Sequence, residues 1–312
     1  MSNTAMTQDL PRTNGVAKTA SAGGAPRAAA VPRRASKITL PEICYTLRRK
    51  AIAFLDNKYD DRLLQDTQAQ VRVAMGVIDG ALQRYGPDEL SLAYNGGKDC
   101  LVLLVLILAC LPSLLPPSST TSPQPPTPEH NFLPQTQQQQ QQQQPDEPTT
   151  IPPPQPLQAI YIAPPDPFPE VEDFVATSTK QYHLDLLRYA LPMRRALEAY
   201  ISDRPCVRAI FMGTRRTDPH SENLEHFSPT DTDWPQLMRV NPLIDWHYAE
   251  IWAFIRQLEL PFCCLYEQGF SSLGGVTNTR PNPALALDAD GKKFRPAYEL
   301  VRDDEERLGR DR

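Results

Sequence analysis

A chain of 312 residues, 40% of them hydrophobic, has the apolar content for a substantial core and the length for one large domain or two small ones. Its formal net charge of −5 gives no general attraction to nucleic acid. The longest apolar run, Leu101 to Leu111, is about half of a bilayer span and reads as a buried helix. Six scattered cysteines, with Cys263 and Cys264 adjacent and so too close for an ordinary disulfide or half of a zinc site, fit a reducing compartment. The expectation is a cytoplasmic protein with neither nucleic acid nor membrane as partner and a monomer as the default state.

The 33 prolines and the glutamine run Gln137 to Gln144 fall in segments that cannot pack, which leaves roughly 230 residues to fold as one domain. Residues 1–37, basic with the single acid Asp9, read as a disordered tail. A mitochondrial presequence is the disfavoured alternative, because no amphipathic arginine-bearing helix is visible. Ile43, Leu47, Phe54 and Leu55 stand at helical spacing after a Pro-Glu start near Leu40. A second helix carries Val71, Met75, Ile78 and Leu82 and ends at Gly86-Pro87. The strand Leu90 to Tyr94, the loop Asn95 to Asp99 and the helix Cys100 to Leu111 make the first half of a βαβ unit. Residues 112–156 read as a disordered insertion in its crossover. Strand Leu157–Ile162, a helix from Glu170 with Val171, Phe174 and Val175, strand Tyr182–Leu186, helix Met193–Ile201 and strand Val207–Met212 continue the alternation. Such alternation implies an α/β fold with a doubly wound, mostly parallel sheet. A helix His247–Leu258 and a glycine- and proline-rich C-terminal extension suited to substrate-binding loops complete residues 38–312.

Two glycines directly after an apolar strand let the backbone turn tightly and point amides outward, as a phosphate nest requires. Asn95-Gly96-Gly97-Lys98-Asp99 has this form, with Lys98 adding positive charge and Asp99 able to hold Mg²⁺ or orient the amides. A plain structural turn would look the same, and no Ser or Thr follows the lysine as it does in a P-loop. Gly213-Thr214-Arg215-Arg216-Thr217-Asp218-Pro219 follows another strand, on the same sheet edge, where doubly wound proteins bind ligands.

The Asn95–Asp99 loop resembles the pyrophosphate-binding loop of the adenine-nucleotide alpha-hydrolase superfamily, and Gly213–Pro219 resembles the GxRxxDP segment of its phosphoadenylyl-sulfate reductase-like FAD synthases. Ser228 to Asp233 with Trp234-Pro235, Arg239 to Trp246, Gly269 to Gly275 with Asn278-Thr279 and Asn282-Pro283, and Phe294 to Tyr298 followed by an acidic helix ending Glu306 to Arg310 are similar to the eukaryotic FAD synthase pattern. This resemblance implies a Rossmann-like fold and transfer of AMP from ATP to the phosphate of FMN, giving FAD and pyrophosphate with Mg²⁺ as metal. It implies ATP and phosphate contacts from Ala93, Tyr94, Asn95, Gly96, Gly97, Lys98, Asp99, Ile162, Gly213 and Arg215. Thr214, Asp218, Asp231 and Trp234 are implied for the flavin, with Trp246 and Phe270 as other aromatic candidates. Asn95, Asp99, Arg307 and Arg310 carry the catalytic expectation, the two arginines one helical turn apart on one side. Asp99→Ala or Arg310→Ala is expected to lower transfer by orders of magnitude with the fold intact. A phosphoadenylyl-sulfate reductase is the alternative on the same fold. It depends on a cysteine near the C-terminus, and none lies beyond Cys264.

Overall fold

The computed structural model describes residues 38–114, 155–288 and 290–310. The expected tail at 1–37 and most of the expected insertion at 112–156 lie outside the described residues. Helix α1, Leu40–Asp56, starts where Glu42 reaches back to accept from Thr39 N at 2.7 Å, which satisfies an otherwise orphaned donor. Helix α2, Arg62–Arg84, starts at Asp61, whose Oδ1 accepts from Leu63 N at 2.8 Å. Strand β1, Leu90–Ala93, then enters the middle of the molecule and helix α3, Lys98–Cys110, follows it. Every residue of α3 except Asp99 is buried, so this helix is apolar on all sides. It packs against α1 and α2 and shares the larger core with strand residues such as Leu92 and Phe211.

The remaining strands are β2 Gln158–Ile162, β3 Asp185–Tyr189, β4 Ala209–Phe211, β5 Phe227–Pro229 and β6 Met238–Val240, in the sheet order β3-β2-β1-β4-β6-β5. All neighbours are parallel except β5 with β6. Leu92 of β1 stands opposite Ala159 on one side and Phe211 on the other. Helix α4, Pro169–Gln181, contributes Val171 and Val175 to the larger core with α3. Helix α5, Met193–Asp203, instead covers Ile160 and Ile210 through Tyr200 and Leu197. Crossovers that lead away from β1 on one side use one face, and the return to β4 uses the other. The order therefore reverses between β1 and β4, and their carboxyl ends open a crevice. Helix α6, Tyr248–Gln257, packs on α2 and α3. Among the described residues, no helix is long and apolar enough to cross a membrane.

Two expectations are corrected here, and two strands are new. β3 begins three residues later than Tyr182, because Tyr182 caps α4 and His183 takes φ 52°, turning the chain before pairing begins. β5 and β6 were not anticipated, since three-residue strands offer no periodicity to read. The acidic C-terminal helix is one 3-10 turn, Asp303–Glu305, after which Arg310 pairs as a bridge with Thr279.

Candidate active site

Gly96 has φ 73°, a left-handed conformation that costs a side-chain-bearing residue ~1–2 kcal/mol. A Cβ there would also lie 2.8 Å from Val175 Cγ2. Gly96→Ala should therefore destabilise the fold by about 2–4 kcal/mol. A urea unfolding curve that overlays the parent's would refute this. Gly213 answers a different need: its Cβ would sit 3.0 Å from Cys100 N, so the end of β4 lies directly against the first turn of α3. That approach joins the two loops that the sequence singled out.

The amides of this first turn are not all open. Gly97 N donates to Asn95 Oδ1 at 2.9 Å, and Lys98 N donates to the Tyr266 hydroxyl at 2.9 Å. Asn95 is exposed and Tyr266 is buried. Cys100, whose role the sequence left open, has its Sγ 2.9 Å from the same Asn95 Oδ1 and 3.1 Å from Gly97 O. The thiol steadies the loop, and burial pushes its pKa up to about 12.

The charges nearby turn inward. Lys98 is 2% exposed, and its ammonium meets Glu306 Oε1 at 2.5 Å and Asp99 Oδ2 at 3.0 Å. Its charge is thus committed inside the protein, which revises the expectation that Lys98 serves an anion directly. Arg215, with no exposed surface, is bonded through Nη2 to Glu306. Its Nε lies 3.0 Å from Asp99 Oδ1 in a charge contact without an aligned hydrogen bond. Asp303 and Asp218 stand 3.5 and 3.6 Å from the same guanidinium. Arg216, by contrast, is exposed and pairs with Asp245 at 2.7 Å.

Burial alone would raise the Asp99 carboxyl, but Arg215 and Lys98 outweigh it and hold Asp99 below the usual carboxylate value. For Asp218 the balance goes the other way: burial prevails over Arg215 and lifts its pKa. Asp218 also accepts from Arg215 N at 2.9 Å, while Thr214 is half-buried beside it. Two buried cations require their counterions, since breaking such a pair costs about 3–5 kcal/mol. The expectation that Asp99→Ala leaves the fold intact is corrected accordingly. Both Asp99 oxygens face cations, and no cluster of three metal-ligating side chains occurs among the described residues. This donor set does not fit a Mg²⁺ site.

Two clefts flank the loop and share Asn95, Ile162 and Met193. The smaller, about 360 Å³, is lined by Ala93, Tyr94, Ile210, Asp231 and Trp234 among others. The larger, about 500 Å³, is bounded by Tyr161, Pro164, Phe168, Leu191, Leu273 and Gly274 among others. The expected nucleotide residues Ala93, Tyr94, Asn95 and Ile162 thus meet the expected flavin residues Asp231 and Trp234 in one cavity. Of the aromatic candidates, Trp246 is 1% exposed and packs edge-on to Phe254, and Phe270 does the same with Phe168. Trp234 lines the smaller cleft.

Arg310 lies at the edge of the larger cleft. Its Nη1 donates to Leu273 O at 2.7 Å, its guanidinium packs on the bare Cα of Gly274, and its buried Nε has no hydrogen-bond partner among the described residues. Burial first, and Arg307 second, lower its pKa. Arg307 itself is exposed, and the two do not form the helical pair expected. Sequence reasoning assigned no role to Glu306, Asp303 or Tyr266. The two acids stand in a visible acidic run and Tyr266 in no motif, and no local pattern marks side chains whose partners lie far along the chain.

Residues 187–281 match the family described as the phosphoadenosine phosphosulfate reductase domain. Over 243 residues the chain is 33% identical to a probable FAD synthase of Schizosaccharomyces pombe, covering 78% of this chain and 79% of that one. Over 269 residues it is 31% identical to the flavin adenine dinucleotide synthase of Saccharomyces cerevisiae, with 83% and 80% covered. The fold matches the crystal structure of Candida glabrata FMN adenylyltransferase in complex with FAD and inorganic pyrophosphate at a TM-score of 0.73 and 26% identity, covering 89% of this chain and 99% of that one. By identity and coverage together, the chain belongs to the FAD synthase family.

Proposed function

We infer that this protein is an FMN adenylyltransferase: an oxygen of the FMN phosphate attacks the α-phosphorus of ATP, pyrophosphate leaves, and FAD is formed. The observation that carries this reading at the site is the pair of clefts meeting at Asn95, on the sheet edge where α3 begins. A dinucleotide product needs two adjoining subsites with a phosphate-binding turn between them. The N-terminus of a buried helix supplies amide donors and a favourable dipole for that turn.

In this reading a phosphate oxygen takes the place of Asn95 Oδ1 on the Gly97 amide, and the exposed Asn95 side chain swings to orient it. Gly96 gives the turn its shape, and Gly213 lets the opposite strand approach. Asp99 and Arg215 act one step back, by fixing the first turn of α3. Ile162, at a strand end that lines both clefts, offers backbone groups for an adenine edge in the larger cleft, with Ala93 on the adjoining strand, and Trp234 stands in the smaller cleft to stack on the flavin. Thr214, Asp218 and Asp231 are assigned to the flavin, with Asp218 reaching it only through the turn that Arg215 braces. Arg307 and Arg310 supply positive charge for the phosphates. No general base is required, because the FMN phosphate is ionised at neutral pH. Magnesium is assigned to the triphosphate that brings it, not to a protein cage.

We treat residues 38–312 as one synthase domain and propose a cytoplasmic location, which the lack of a disulfide among the described residues supports. The deciding test is to incubate the purified chain with FMN, ATP and Mg²⁺ and separate the flavins by chromatography. FAD and pyrophosphate in equal amounts are expected, and sulfite release from phosphoadenylyl sulfate without FAD would overturn the reading. In the same assay, Trp234→Ala should raise KM for FMN up to about tenfold, the worth of one aromatic stack.

A further inference from the structure

We propose that Glu306 is a positioning residue for adenylyl transfer, whose ionised carboxylate fastens the arginine-bearing C-terminal segment to the first turn of α3. The inference rests on the reaction proposed above and adds to it the device that aligns two parts of the site.

Glu306 is 5% exposed and spends both carboxylate oxygens on cations: Oε1 on the Lys98 ammonium at 2.5 Å, and Oε2 on Arg215. Lys98 opens the helix whose N-terminus is assigned above to the nucleotide phosphates, and Arg215 follows β4. One side chain therefore ties residue 306 to both loops of the crevice. The rest of the segment is held from the opposite direction. Ser271 Oγ donates to Glu306 O at 2.6 Å, Asn282 Nδ2 to Glu305 O at 2.7 Å, and Arg280 N to Gly309 O at 2.9 Å. Asp303 anchors the start of the segment, accepting from Tyr248 N at 2.7 Å and facing His247 Nδ1 at 2.7 Å. With its backbone fixed by the 271–282 loops, the segment has Glu306 as its most buried link to the helix that carries the phosphate turn. Arg310, four residues on, packs on Gly274, which lines the larger cleft.

A carboxylate committed in this way contributes to rate through the alignment of Arg307 and Arg310, not by touching substrate. Misplacement of a charged group by about 1 Å can cost on the order of 10²-fold in rate. Glu306→Gln removes the charge and brings an amide N–H toward Arg215, while Glu306→Asp keeps the charge on a shorter arm.

The experiment uses the full chain, steady-state FAD formation and limited trypsin digestion followed by mass. Glu306→Gln should lower kcat by about 10²-fold with KM for ATP changed less than about threefold. It should also make trypsin release fragments ending at Arg302 or Arg307 faster than other cuts appear. Glu306→Asp should recover part of kcat. Lys98→Met with Glu306→Gln should cost less than the two single changes combined, because they share one interaction. Parental kcat in Glu306→Gln would overturn the proposal, as would loss of activity in step with global unfolding and no selective C-terminal cleavage. If the unaltered chain makes no FAD, the reaction assignment fails, and the trypsin pattern still decides whether Glu306 holds the segment.

Discussion

Arg215→Lys should destabilise the fold by about 3–5 kcal/mol and nearly abolish FAD formation, although it conserves charge. Arg215 is fully buried, and its guanidinium uses all three nitrogens: Nε meets Asp99, Nη1 meets Asp303, and Nη2 meets both Glu306 and Asp218. A lysine ammonium is a single point on a flexible stem and can serve one or two of these carboxylates at once. Those it abandons remain desolvated and close together, and a buried charge without its partner is far more costly than the intact pair is stabilising. Asp99 would suffer first, because Arg215 is the strongest of the influences that keep its carboxyl ionised against burial. Protonation or rotation of Asp99 would then disturb the first turn of α3, where the phosphates are to bind. Arg216→Lys is the matched control: its partner Asp245 is half-exposed, and such pairs are worth about 0–1 kcal/mol. Urea unfolding and FAD formation measured on both variants decide the matter, and similar midpoints for the two would refute the role given to Arg215.

The part of the site built from local chain was legible in advance. An apolar strand, two glycines and an apolar helix leave few alternatives, and β1, Gly96 and α3 stand where the pattern put them. The alternation of strands and helices likewise placed β2, β4 and α5. What the sequence could not disclose are relationships over distance. Lys98 and Glu306 are 208 residues apart, and Arg215 and Glu306 are 91 apart, so Lys98 read as a phosphate ligand and Glu306 as one acid among several. The run Asp303 to Arg310 has helix-forming residues but no apolar stripe. Its carbonyls at 305 and 306 are taken by Asn282 and Ser271, which satisfies them outside a helix. Trp246 is apolar and large wherever it is put, and only the packing around Phe254 shows that it belongs to the core.

Arg310→Ala should lower the rate of FAD formation by about 10²–10³-fold, the usual consequence of removing one group that stabilises developing charge, with little change in unfolding. The reaction gathers a triphosphate and a flavin phosphate around one phosphorus, so fixed positive charge at the cleft matters more there than any proton transfer. Lys98 and Arg215 cannot supply it, since both are neutralised by acids inside the protein. Arg310 can: among the described residues no carboxylate pairs with it, it is half-buried, and burial already works against its charge. An incoming phosphate would relieve that penalty and offer the unpartnered Nε an acceptor. The structural cost of removing it is small, one hydrogen bond to Leu273 O at 2.7 Å, worth about 1 kcal/mol. This separates Arg310 from Arg215, where rate and stability should fall together. Arg310→Lys should recover only a fraction of the loss, because an ammonium cannot both bond Leu273 O and present a second donor to phosphate in the same plane. Parental turnover in Arg310→Ala would move the transition-state charge to Arg307, the exposed cation nearest to it in the segment.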